Sequence, residues 1–148
     1  MRARPFGDAR ARRREPDDEG SVLLLTLGYG ALALVAILLC ADATSLYLAQ
    51  KRLDSLADAA ALAAADGFVL SVEDGEPVAQ LTAAHVRGQA QAMVDEVGAG
   101  ATLLSAGTPD GLSARVTVAA TWRPPVLTLF VPDGVALEAT ATSRTALR

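Results

Sequence analysis

The sequence predicts an α+β membrane protein. One N-terminal transmembrane helix runs on as an amphipathic helix, and a small domain of one helix and an antiparallel sheet follows. Three observations carry this. Val22 to Ala41 is twenty residues without a charge. Asp42 to Asp66 contains no proline or glycine and keeps a helical recurrence of apolar residues. Residues 112–123 and 135–144 alternate apolar and polar side chains, the signature of half-buried strands. The boundaries are therefore 1–21 for a charged tail, 22–41 for the span, 42–66 for the amphipathic helix and 67–148 for the outer domain.

The tail, residues 1–21, holds six arginines, Arg2, Arg4, Arg10, Arg12, Arg13 and Arg14, interleaved with five acids. The portion from residue 42 onward has seven basic and twelve acidic side chains. Phosphate binding needs a basic face, so this weakly acidic domain argues against nucleic acid as a partner.

The span "VLLLTLGYGALALVAILLCA" would rise roughly 30 Å as a helix, the thickness of the hydrocarbon core. Backbone in lipid must satisfy its own hydrogen bonds, which requires the helix. Six arginines precede the run and only Lys51 and Arg52 follow it closely. That places the N-terminus in the cytoplasm and the outer domain beyond the membrane. The alternative is a signal peptide cut at Ala41-Asp42-Ala43, which would release a secreted small binding domain near Ala43. The run exceeds the usual 7–15 residues of a signal core, and no polar break precedes that site. Cys40, the only cysteine, lies within the run and reads as a small packing residue.

Past Asp42, Leu46, Ala49, Leu53, Leu56, Ala60 and Ala63 recur at spacings of three and four, a heptad seam. Alanine favours helix and lets backbones approach closely. The seam is thus a candidate docking surface, either for the chain's own domain or for other copies and partners. Ala59 and Ala61 fall off it. Asp66-Gly67 ends the helix.

The stretch "DEGSVLLLTLGYGALALVAILL" followed by "YLAQKRLDSLADAAALAAADGF" resembles the TadE/TadG-like proteins of tight-adherence (Flp) pilus systems, in particular the short forms of actinobacteria. The likeness covers Asp18 to Phe68. It consists of a charged tail ending in Gly20-Ser21, an apolar helix, Arg52-Leu53 and the alanine-rich Ala57 to Ala64. It implies a pilin-like plan and a non-enzymatic role as a minor pseudopilin or assembly component. It also implies membrane lipid and other pilus-assembly subunits as partners, and Gly20-Ser21 as a processing site. Prepilins of these systems carry a glutamate five residues after the cut glycine, where this chain has Leu25.

In the outer domain "SVEDGEP" reads as a loop. Val78 to Val97 reads as a helix with Val86, Ala90, Met93 and Val97 on one face. Ala101–Ala106 should pair with the strand from Leu112 across the turn Thr108-Pro-Asp-Gly111. Trp122 should pack inward with Val116 and Val118. Pro132-Asp-Gly134 turns the chain into the last strand. His85 is the only histidine, and Cys40 lies in the span, so no zinc set assembles. No nucleotide-binding glycine loop or nucleophile motif occurs. The sequence therefore offers no catalytic residue, metal ligand, cofactor site or small-molecule substrate.

Overall fold

The computed structural model describes residues 18–73 and 76–144. The arginine-rich tail through residue 17 and Asp74-Gly75 lie outside them. Helix α1, Asp18–Asp66, takes in the apolar run and the alanine-rich stretch. Its first part is a unit of its own, ending at Ile37. There Val22, Leu24, Leu27, Tyr29 and Leu32 are all exposed. The helix contains an 18-residue window of mean hydropathy 2.5 and is long and apolar enough to cross a membrane. Thr26 returns its hydroxyl to the carbonyls of Val22 and Leu23, so this polar side chain asks nothing of its surroundings.

The second unit starts at Leu38. Strands β1, Val69–Glu73, and β2, Glu76–Gln80, form an antiparallel hairpin with Val69 opposite Gln80. This corrects the expected loop at "SVEDGEP". Only Asp74-Gly75 separates the strands, and Asp-Gly is the dipeptide most favoured for a two-residue hairpin connection. The hairpin also takes Val78 to Gln80 from the expected helix. Helix α2, Ala83–Val97, starts where Thr82 caps it, its hydroxyl accepting from the His85 N–H at 3.4 Å. Val86, Ala90 and Val94 are its buried residues, with Met93 half-buried, while Val97 is 56% exposed.

Strands β3, Thr102–Gly107, β4, Ser113–Trp122, and β5, Val135–Arg144, make an antiparallel sheet in that order, β4 in the centre. An irregularity lies between Leu103 and Ser105, which oppose Val118 and Thr117. It leaves Leu104 exposed and lets both Leu103 and Ala106 pack on the core despite a spacing of three. On β4, Ala114, Val116 and Val118 are wholly buried. Ala139 and Ala141 of β5 join them, and so do Leu53, Leu56, Ala57, Ala60, Ala61, Ala64 and Ala65 of α1. One contiguous core therefore unites the amphipathic part of α1, α2 and one sheet face. The opposite face is polar, and there the Thr117 and Thr140 hydroxyls meet at 2.9 Å.

Two turns hold the sheet. Asp110 Oδ1 accepts from the Leu112 and Ser113 N–H groups at 3.0 and 2.6 Å, and its Oδ2 from the Ser113 hydroxyl at 2.9 Å. Gly134 adopts φ +75°, and a Cβ there would lie 2.6 Å from the Trp122 carbonyl oxygen. Glycine alone fits that close return into β5.

Candidate assembly surface

The heptad seam and the buried stripe of α1 coincide in part. Leu53, Leu56 and Ala60 are buried, whereas Leu46, Ala49 and Ala63 are half-buried. Ala57, Ala61 and Ala64 are buried beside them. Ala61, expected off the seam, is 1% exposed. An unsupercoiled helix repeats every 3.6 residues and presents a broad stripe to a sheet, so a strict 3.5-residue seam drifts off the contact. The small residues still matter, because Ala57, Ala60, Ala61 and Ala64 share the buried core with Val116 and Val118. Gly20 and Ser21 stand exposed in the first turn of α1.

Polar contacts pin α1 to the end of the sheet in an ordered series. Gln50 donates its amide to the Glu138 carbonyl oxygen at 3.2 Å, and to Asp54 Oδ1 at 3.0 Å. Trp122 donates its indole N–H to the Ser45 hydroxyl at 3.1 Å. Asp42 Oδ1 accepts from the Val126 N–H at 3.1 Å. Asp42 is 4% exposed, and its Oδ2 is buried without a hydrogen-bond partner. Trp122 lies on the inward face of β4, in line with Val116 and Val118, but it is half-buried and closes the end of the core. These partners lie between 77 and 88 residues apart, and no local pattern announces them.

Beside these contacts runs a groove. One part, about 770 Å³, is lined by Leu53, Leu56 and Ala59 of α1, by Val97 and Ala101, and by Trp122 and Leu137. The other, about 430 Å³, continues past Trp122 to Ala41, Thr44 and Pro125. Leu48, Ala49, Arg52, Trp122 and Arg123 border both. The groove is apolar with a basic margin. Lys51 there pairs with Asp54 at 3.2 Å and stands 6.0 Å from the Tyr47 ring centroid. The Gln50 amide, and then Lys51, hold the Asp54 carboxyl below its ordinary pKa. At Asp110 the backbone N–H of Leu112, then Ser113, has the same effect. Among the described residues no group of His, Cys, Asp and Glu side chains could hold a metal ion. His85 is exposed on α2, and its ring carbon Cδ2 lies close to Gly67.

Residues 20–67 match the family model of Flp pilus-assembly TadE/G-like proteins. No curated protein and no solved structure matches the chain. The matched segment ends at Gly67, just past the last residue of α1.

Proposed function

We propose that this chain is a membrane-anchored, non-enzymatic component of a Flp/Tad-type pilus or a related secretion apparatus, acting as a minor pseudopilin or assembly subunit. The observation that carries the reading is the family match over residues 20–67, which covers the apolar run and the alanine-rich half of α1 together. Residues 22–41 would anchor the chain in lipid, with the N-terminus cytoplasmic and the domain outside. Assembly would proceed through α1. Leu53, Leu56 and Ala60 are taken up by the chain's own core. The part of the seam left for another subunit is therefore its margin, Leu46, Ala49 and Ala63, together with the span.

The rival reading, release after a cut near Ala43, would discard Asp42. The folded domain uses that residue to satisfy the Val126 N–H. This supports retention of the anchor. Two measurements test the proposal. N-terminal sequencing of the membrane-extracted chain should find Val22–Ala41 retained, and a start near Ala43 would refute the anchor. A photo-crosslinker at Leu27 or Leu34 should capture other subunits of the apparatus in cells. Absence of such adducts, with normal piliation in a deletion strain, would refute the assembly role.

A further inference from the structure

The connection from β4 to β5 is peculiar in composition and position. Pro124 to Pro132, "PPVLTLFVP", has no charged side chain, although Arg123 and Asp133 flank it. The segment is built, not loose. Pro124 is fully buried. Thr128 donates its hydroxyl to the Pro124 carbonyl. A short 3-10 turn, Leu127–Leu129, is followed by N–H bonds from Phe130 and Val131 to the Leu127 carbonyl at 2.9 and 3.0 Å. Its backbone order nevertheless leaves Leu129 92% and Phe130 81% exposed. Two large adjacent apolar side chains held out of the core mark a surface that something covers.

Position identifies the cover. The hydrogen bonds to α1 descend in step. Gln50 meets Glu138, which pairs with Ala119; Ser45 meets Trp122; Asp42 meets Val126. Eight residues of helix, about 12 Å of rise, separate the first contact from the last. Over that distance β4 and its continuation run toward the end of the apolar run at Ala41. Leu129 and Phe130 come next in the chain after the contact at Asp42. The tip of this connection thus follows directly on the contact at Asp42, the first charged residue after the apolar run. A hydrocarbon boundary at that level would meet it. Arg52 and Arg123 line the same pocket as Ala41 and Pro125, from where long basic side chains can reach lipid phosphates.

We infer that Leu129 and Phe130 dip into the interfacial region of the bilayer as a second, non-helical membrane contact, fixing the domain against the lipid surface through the Asp42–Val126 bond. The inference rests on the anchor reading given above, and the occupant is lipid.

The test uses the full chain carrying Cys40→Ala, reconstituted in vesicles of three parts phosphatidylcholine to one part phosphatidylglycerol. Single cysteines replace Leu32, Ala92, Leu129 or Phe130 in turn and receive a nitroxide label. Collision rates with oxygen, which enriches in lipid, and with a water-soluble nickel chelate then report depth. Labels at 129 and 130 should favour oxygen over nickel, as the label at 32 does, while the label at 92 on exposed α2 should favour nickel. If 32 reports lipid and 129 and 130 report water, the loop inference fails while the anchor stands. If 32 also reports water, the anchor reading fails and takes the inference with it. Labels at 129 and 130 shielded from both reagents would mean that a second protein surface covers the tip, and would also overturn the lipid assignment.

Discussion

Asp42 is the residue on which the junction between the apolar run and the domain turns. It is a buried acid placed directly after twenty uncharged residues. Burying a carboxylate is costly unless it is hydrogen-bonded, and here one oxygen receives the Val126 N–H. Truncation by Asp42→Ala would leave that N–H without its acceptor. It should cost about 1–3 kcal/mol, read as a lower unfolding temperature of the chain in detergent micelles. Asp42→Asn keeps an acceptor in place and should recover most of the loss. Equal stability of the alanine variant and the parent would show that the bond contributes nothing. Asp110 makes a different case. It is exposed at the turn into β4, and its carboxyl is held below the ordinary carboxylate pKa by the Leu112 N–H and then by Ser113. The sign follows from that direction. The folded state prefers the ionised form, so the contribution is complete above the ordinary value near 3.8 and fades as pH falls through the depressed one. Unfolding temperature should therefore drop on acidification from about pH 5 to about pH 2, and Asp110→Asn should flatten that drop while starting from a lower value at neutral pH. An unchanged acid slope in the variant would remove Asp110 from the account.

At the scale of elements, α1 carries its core contact through small residues. Ala60 and Ala61 are 0% and 1% exposed, and leucine at either would need room that the packed core does not leave. Each of Ala60→Leu and Ala61→Leu should cost roughly 1–3 kcal/mol in thermal unfolding. Ala59→Leu and Ala63→Leu, at half-buried positions, should fold nearly as well as the parent. If Ala63→Leu folds normally but abolishes recovery of complexes from cells, the margin of the seam serves a partner; if the margin variants also assemble normally, docking through it is refuted. The misplaced phase at Ala61 shows what was legible here. The existence of α1 and its apolar and alanine-rich halves could be read from periodicity alone, since charge-free runs and glycine-free stretches are local properties. The 3.5- and 3.6-residue repeats differ by only about 20° per heptad, so which alanines of a broad stripe end up buried is decided by the packed partner and not by the repeat. The hairpin of β1 and β2 was missed for another reason. Each strand has five residues, too short for alternation to outweigh a cluster of acids, glycine and proline. Its one clear signal was Asp74-Gly75. The alternation of β4 and β5 was legible because ten-residue strands with one buried face repeat the pattern often enough to be read. The candidate site was less so, since Asp42–Val126 and Ser45–Trp122 join residues 84 and 77 apart, and only the fold brings them together.

For the whole molecule, the open physical question is which side of the membrane holds the sheet. The charge distribution supports the extracytoplasmic side proposed above. Six arginines precede the apolar run, and only Lys51 and Arg52 follow within its neighbourhood. Basic residues stay on the cytoplasmic side during insertion, and acids weigh little in that balance. The described domain also has the chemistry of an exposed, independent surface, with threonines and Arg115 on the outer face of its sheet. Accessibility labelling in intact cells tests the orientation, provided the reporter is reachable. Ser113 is 4% exposed, so a cysteine there would be masked by the fold and not by the membrane. Ala92 lies on the exposed side of α2 and avoids that ambiguity. In a Cys40→Ala background, Ala92→Cys should react with a membrane-impermeant maleimide in intact cells. Ala9→Cys, in the arginine-rich tail, should react only after the cells are opened. The reverse pattern would place the domain in the cytoplasm and overturn the orientation. Reaction of both in intact cells would show that the span does not separate tail from domain, and would refute the single-pass anchor itself.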